Sequence, residues 1–195
     1  MRPTETLEAC IAAHDRLLSA VAKLDDDGVR VPSLLPGWSR AHVVVHLARN
    51  ADSHVWLFEG AKLGEVRHQY PSPGMREADI EAGSSRPADA LIEDLTRSCH
   101  ALEEAWAGLD DNRWEVMGIV TPGPRTMAEI VFRRLREVEV HHADLGVAYS
   151  PSDWATVYVE EELRRRLPSL PDRADRPALV GWLLGREEAP VLRHW

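Results

Sequence analysis

Hydrophobic residues recur at helical spacing along most of the chain. Over residues 4–24, apolar residues stand at positions that share one helix face, and they predict a first helix that stops at the acidic segment 25–28: Leu7, Ile11, Leu17, Leu18 and Val21. Ser39 is a suitable N-cap for a second helix. This second helix is predicted to continue to about Glu59, with Gly60 as its C-terminal stop.

The middle of the chain interrupts this pattern. Residues 61–84 contain several prolines and glycines and are predicted to form one long crossover connection. Ser85 is then expected to cap a third helix, with Pro87 in its first turn, that continues to about Leu109. The segment 114–124 (WEVMGIVTPGP) combines β-forming residues with a turn sequence and predicts a short extended excursion.

A capping box opens the next helix. Thr126 and Glu129 have the T-x-x-E spacing in which each side chain satisfies the other residue's backbone N–H. The fourth helix is predicted to run through Leu145 and to end at Gly146.

Four long helices with one long crossover between the second and the third predict a mainly all-α fold, a four-helix bundle over residues 1–150. Residues 151–195 are predicted to form a short C-terminal extension with two shorter helices. Neither internal repeats nor low-complexity segments are evident.

Composition narrows the functional classes. The formal charge of −9 argues against nucleic acid or an anionic membrane surface as the main partner. With 44% hydrophobic residues, the chain of 195 residues can form a core. Cys10 and Cys99 match neither a redox pair nor a disulfide framework, which favours a reducing cytoplasm and two buried thiols. We see no signal peptide and no membrane-spanning run, and we expect a cytoplasmic protein.

Ionisable side chains concentrate near the end of the fourth predicted helix. Glu137 and His141 are four residues apart and therefore project from one helix face, whereas Glu139 and His142 point elsewhere. A catalytic metal needs a further protein ligand, and His46, in the apolar middle of the second helix, is the candidate. Two imidazoles and a carboxylate suit Zn²⁺ with one position left for water or substrate.

Two more residues are expected to orient these ligands. Asn50 follows His46 by one turn, and Asp144 follows His141 by three residues, so both are candidate hydrogen-bond partners of the histidines. The spacing alone is also compatible with simpler roles. A histidine on an apolar helix face is commonly a hydrogen-bonded core residue, and a Glu–His pair at this spacing is commonly a surface pair.

Three sequence segments resemble the mycothiol-dependent maleylpyruvate isomerase family, within the wider DinB/YfiT-like superfamily of metal-binding bundles. They are LPGWSRAHVVVHLARNAD (35–52), YPSPGMREADIEAGSSRPADALIEDL (70–95) and RRLREVEVHHADLG (133–146), in the family's order. The middle segment is the most specific for the isomerases. The resemblance implies that His46, Glu137 and His141 are the metal ligands and that zinc is the usual metal. The residues after the bundle are fewer than in many members, which weakens the match there.

The resemblance also implies a reaction, the cis–trans isomerisation of maleylpyruvate to fumarylpyruvate in gentisate breakdown. A mycothiol thiolate adds to the double bond, rotation follows about the resulting single bond, and elimination returns the thiol. The implied partners are mycothiol and a dicarboxylate, in a monomer or homodimer. Arg76 in the crossover is a candidate for binding a carboxylate, and Arg133 and Arg134 are further candidates.

Two alternatives remain open at this point. The same site could serve a mycothiol S-transferase that conjugates the thiol to another electrophile. The bundle could also bind metal without being an enzyme.

Overall fold

The computed structural model describes residues 1–70, 72, 74–121 and 123–193, and the chain divides into two units, Met1–Ala155 and Thr156–Trp195. The division falls a few residues after the boundary expected at residue 150. The elements of the first unit are, in chain order, α1 (Thr4–Val21), α2 (Asp26–Arg30), α3 (Arg40–Leu63), α4 (Met75–Gly83), α5 (Ala88–Ala107), β1 (Met117–Val120), β2 (Gly123–Thr126) and α6 (Met127–Asp144).

The four long helices α1, α3, α5 and α6 form the predicted bundle. Helix α3 packs against α5 and α6, and α1 packs against the same two helices. Each helix places an apolar face toward the others, and burying these faces stabilises the arrangement. Fully buried leucines from all four helices fill the core: Leu17, Leu47, Leu95 and Leu135. The all-α prediction is confirmed.

Helix α3 continues past its predicted end. Gly60 lies inside the helix, which ends at Leu63 and is followed by Gly64 in the left-handed conformation, with φ of 76°. A Cβ atom at residue 60 would lie 2.6 Å from Cδ of Arg67, so this glycine makes room for the returning loop. The prediction that Gly60 stops the helix is wrong because packing outweighs the low helix propensity of glycine.

The crossover contains a helix that the sequence pattern did not predict. Helix α4 occupies its second half and packs against α3, where Ile80 is buried and Gly83 lies against Val45. The start of α5 also differs from expectation, because Pro87 rather than Ser85 is its N-cap residue. Two prolines of the crossover, at positions 71 and 73, lie outside the described residues.

The segment before α6 forms the expected extended excursion. Strands β1 and β2 pair antiparallel, with Met117 opposite Thr126 and Val120 opposite Gly123. Residue 122, in the predicted turn, lies outside the described residues. The capping box of Thr126 and Glu129 is present at the start of α6 as predicted. It fixes where the helix begins and thereby the rotation of the ionisable residues at its other end.

The second unit consists of short helices. They are α7 (Thr156–Arg166), α8 (Leu170–Arg173) and α9 (Arg176–Leu183). The Asp175 side chain accepts a hydrogen bond from the Ala178 backbone and so caps α9. Among the described residues, no helix has both the length and the apolar composition needed to cross a bilayer.

Candidate metal centre and its cavity

Helices α3 and α6 bring the three predicted ligands together. One potential ligand atom from each of His46, Glu137 and His141 lies within 4.8 Å of the other two. His46 Nε2 is 2.9 Å from Glu137 Oε2, and His141 Nε2 is 3.5 Å from the same oxygen. The two imidazole rings meet edge to face, with centroids 4.6 Å apart. The donors therefore converge on one point from two helices.

Each histidine has a different partner on its other ring nitrogen. Asp144 Oδ2 lies 2.8 Å from His141 Nδ1, the contact expected from their spacing. This contact directs Nε2 of His141 toward Glu137, as carboxylates do for metal-binding histidines. His46 Nδ1 instead accepts a hydrogen bond of 3.2 Å from the Arg76 guanidinium, so Nε2 of the neutral ring carries the proton and donates to Glu137.

The ionisation states of the cluster follow from these contacts. Burial lowers the pKa of His46, which favours the neutral ring. Burial raises the pKa of Glu137, but hydrogen bonds from His141 and His46 outweigh it and hold this pKa well below 4.5. Burial lowers the pKa of His141, but hydrogen bonds to Asp144 and Glu137 raise it to about 9. Glu137 is therefore an anion at neutral pH.

The donor set fits a divalent cation. Two imidazoles and one ionised carboxylate are a ligand combination of catalytic zinc sites, which keep a further position open. His46 is almost fully buried, while the side chains of Glu137 and His141 are partly exposed. We therefore name these three residues as the candidate metal ligands, as the sequence predicts.

A cavity of about 810 Å³ adjoins the cluster. Its size is that of a small-molecule binding site. The cavity is lined by residues of α3, the crossover, α4, the hairpin and α6: His46, Asn50, His54, His68, Gln69, Tyr70, Ser72, Gly74, Arg76, Glu77, Thr121, Arg133 and Glu137.

The structure places Arg76 beside the cluster, but it gives Asn50 a different partner from the predicted one. Arg76, at the start of α4, lines the cavity beside His46, where a substrate carboxylate could meet it. Asn50 also lines the cavity, but it is not the predicted partner of a histidine. Its Oδ1 accepts a hydrogen bond of 2.9 Å from Arg134, and the second partner of His46 is Arg76.

Arg134 belongs to the core rather than to the cavity wall. Its guanidinium is fully buried and donates to His14 Nε2, the Leu47 carbonyl, Asn50 Oδ1 and Cys99 Sγ. Arg134 is therefore not placed to bind a carboxylate in the cavity, the role for which the sequence makes it a candidate.

Trp56 and the two ionisable neighbours of the candidate ligands, Glu139 and His142, make contacts outside the cluster. Trp56 is 48% exposed, and the Arg67 guanidinium lies 3.9 Å from its ring centroid. The His142 ring stacks on Tyr149 at 3.7 Å, and Glu139 accepts a hydrogen bond from Arg16. His142 and Glu139 therefore point away from the cluster, as the helix geometry predicts.

His54 is a cavity residue that the sequence analysis missed. It is fully buried and lines the cavity, and its Nδ1 makes no hydrogen bond with any described residue. Burial lowers its pKa to about 3. The signal was present, because residues 46, 50 and 54 recur every four positions on α3 and so share one helix face.

The sequence and the fold agree with one protein family. The family model of the mycothiol maleylpyruvate isomerase N-terminal domain matches residues 10–146, and the chain belongs to this family. It is similar to the crystal structure titled mycothiol-dependent maleylpyruvate isomerase, with a TM-score of 0.78 and 28% identity over 82% of this chain and 67% of that chain. A histidine-to-alanine variant titled as the same isomerase matches with a TM-score of 0.78, 27% identity and the same coverage. The search of curated proteins finds no match.

Proposed function

We propose that this chain is a metal- and mycothiol-dependent cis–trans isomerase that converts maleylpyruvate to fumarylpyruvate. The observation that carries the proposal is the His46–Glu137–His141 cluster, which opens onto a cavity within the fold of this family. The two similar structures are titled as enzymes of this activity. The cluster supplies no cysteine, and Cys10 and Cys99 are both fully buried, so the nucleophilic thiol would come from mycothiol.

The ligands of the cation would be His46, Glu137 and His141. When bound, a divalent cation, most simply Zn²⁺, lowers the pKa of a coordinating thiol and polarises a carbonyl oxygen. Glu137 contributes its negative charge, and Asp144 keeps the proton on His141 Nδ1 so that Nε2 is free for ligation.

Arg76 would bind a substrate carboxylate. Ligation of His46 through Nε2 leaves the ring proton on Nδ1, which then no longer accepts a hydrogen bond from Arg76. The guanidinium is then available to a carboxylate, which it can bind with two parallel hydrogen bonds. The partly enclosed cavity also limits water around the reacting double bond, which strengthens these electrostatic interactions.

The test combines zinc-loaded protein with mycothiol and maleylpyruvate and follows product formation by NMR. We expect fumarylpyruvate to form with the thiol present in catalytic amounts, and we expect no product after chelation or in the His46→Ala variant. His100→Ala, which changes an exposed histidine on α5, is the matched control and should retain activity.

Two results would contradict the proposal. A stable thioether without fumarylpyruvate would count against isomerisation and favour an S-transferase. Stoichiometric metal without any thiol-dependent turnover would indicate a metal-binding bundle that is not an enzyme.

A further inference from the structure

The cavity extends from the metal cluster along α3 and α6. Asn50 and His54 follow His46 by one and two helical turns, which places them roughly 6 and 12 Å farther along the α3 axis. Arg133 precedes Glu137 by one turn on α6. All of these residues line the same cavity. We call Asn50, His54 and Arg133 the distal group, because they lie beyond the cluster.

The Arg133 guanidinium has more N–H donors than it uses in hydrogen bonds with the described residues. Its Nη2 donates to the Thr121 carbonyl at 2.8 Å, which fixes the side chain against the hairpin. Within the described part of the chain, no carboxylate lies at ion-pair distance from it. The Glu137 carboxylate, one turn along α6, favours the charged form of Arg133 from beyond ion-pair distance. The guanidinium therefore keeps N–H donors that can bind an anion from solution.

His54 and Asn50 add polar groups beside this cation. His54 lines the cavity, and its Nδ1 is buried without a hydrogen-bond partner among the described residues, so the ring keeps unused hydrogen-bonding capacity. Asn50 Oδ1 is occupied by Arg134, so the amide presents its N–H₂ side toward the cavity and the Tyr70 hydroxyl. The remaining capacity of Arg133 and Asn50 consists of donors.

Arg134 makes this end of the cavity more positive. Its hydrogen bonds go to uncharged groups on His14, Leu47, Asn50 and Cys99, and no carboxylate of the described residues bonds to it directly. Two neighbouring guanidinium groups therefore lie at this end, in a chain whose formal charge is −9. In a partly enclosed cavity their field is screened less than it would be in water.

We propose that Arg133 and His54, supported by Asn50, bind the substrate carboxylate that lies farther from the metal cluster. This inference rests on the proposed function and adds to it the residues that select a dicarboxylate over a monocarboxylate. Arg76 takes the near carboxylate and Arg133 the far one, so the substrate spans the cavity with its double bond between them.

The test measures equilibrium binding of two unreactive probes, pimelate and heptanoate, to the zinc-loaded protein by calorimetry. The probes have the same chain length and differ by one carboxylate. We expect the wild-type protein to prefer pimelate. Arg133→Gln should weaken pimelate binding about ten- to hundredfold, the loss typical of a hydrogen bond to a charged group, and should change heptanoate binding little. Arg125→Gln, on β2 and outside the cavity lining, controls for general charge removal.

Two further variants separate binding from folding. Arg133→Lys keeps the charge but loses the planar fork, and it should lower the preference for pimelate by a smaller factor. His54→Leu removes a buried polar group without a partner, so it should weaken pimelate binding several-fold without lowering the thermal midpoint. If His54 had only a structural role, His54→Leu would lower the thermal midpoint and leave pimelate binding unchanged.

The inference is overturned if the wild-type protein shows no preference for pimelate, or if Arg133→Gln weakens both probes equally. It is also overturned if Arg125→Gln has the same effect. If Arg133→Gln fails to fold by circular dichroism, an unchanged preference in Arg133→Lys overturns it. Because binding is measured without turnover, a retained preference in a protein that does not isomerise maleylpyruvate would reject only the proposed function.

Discussion

The Glu137 carboxylate lies between two imidazoles and carries the negative charge of the candidate metal centre. Glu137→Gln keeps the shape but removes the anionic ligand. We expect zinc affinity, measured against a competing chelator, to fall more than about a hundredfold, since even the loss of an outer partner of a ligand costs roughly 10–100-fold.

His142→Ala is the control for this prediction, because it changes the adjacent histidine that stacks on Tyr149. It should lower stability while leaving zinc affinity within a few-fold of wild type. Equal losses of affinity in the two variants would mean that the wrong histidine on α6 has been assigned.

Zinc binding should also release a proton. In the metal-free protein, hydrogen bonds to Asp144 and Glu137 raise the pKa of His141 to about 9, so its ring is protonated at pH 7, whereas His46 is neutral. Ligation requires a neutral ring, and the apparent affinity for zinc should therefore rise about tenfold per pH unit between about pH 7 and 9. Calorimetry in buffers of different ionisation enthalpy measures the proton release. No release at pH 7 would exclude His141 as a ligand.

Single residues were predictable from the sequence where local geometry decides their position. Glu137 and His141 share a helix face by spacing alone, and Asp144 follows on the same face. The partner of Asn50 was not predictable, because Arg134 lies 84 residues away in the chain and nothing in its local sequence indicates that it is buried. Its burial depends on the way α1 and α6 pack, which no local pattern contains.

Helix α4 has a close contact with α3 at its C-terminal residue, Gly83. A Cβ atom at Gly83 would lie 2.8 Å from Val45 Cγ1, and this β-branched side chain is buried and has little freedom to move. Gly83→Ala should therefore displace α4, lower the free energy of unfolding by about 1–3 kcal/mol, and raise the KM for a carboxylate substrate through Arg76. Denaturant unfolding and steady-state kinetics measure the two effects.

Gly123→Ala provides the matched control on the hairpin. Apart from its chain neighbours, no described residue has an atom within 4 Å of the position that a Cβ would take there, so this variant should behave like the wild type. A Gly83→Ala variant with unchanged stability would show that α4 can shift without loss.

Elements were predictable where their ends carry side-chain caps. The Thr126–Glu129 capping box specifies the start of α6 locally, and the structure has it there. Helix α4 and the end of α3 were missed for a shared reason. Gly60 and Gly83 look like helix breakers in the sequence, but each one provides space for a side chain of another segment. Contacts of that kind exist only once the bundle has formed.

The whole bundle should lose stability in mild acid. Burial lowers the pKa of His14 to about 4 and that of His54 to about 3, whereas an unfolded chain would protonate both near 6.5. The unfolded state therefore binds protons first as the pH falls. Between about pH 6.5 and 4 the free energy of unfolding should decrease, with His14 contributing up to about 3 kcal/mol.

Denaturant unfolding of the metal-free protein across this pH range tests the prediction. His141 opposes this trend only at the upper end of the window: its raised pKa, about 9, keeps it protonated in the folded state, whereas the unfolded chain takes up that proton near pH 6.5. Below about pH 5.5 both states are protonated at His141, and it adds no slope. His14→Gln should have a shallower pH dependence, and His100→Gln, an exposed control, should retain the wild-type slope. A wild-type stability that does not change over this range would contradict the assignment.

The candidate ligands join segments that are distant in the chain, since His46 and Glu137 are 91 residues apart. An ion held there would act as a cross-link between two helices in a bundle whose described cysteines are free. Each increase in zinc concentration above the dissociation constant would then raise the free energy of unfolding by mass action. Cells starved of zinc would lose this protein to proteolysis as well as to inactivity, so its abundance would follow the supply of the metal.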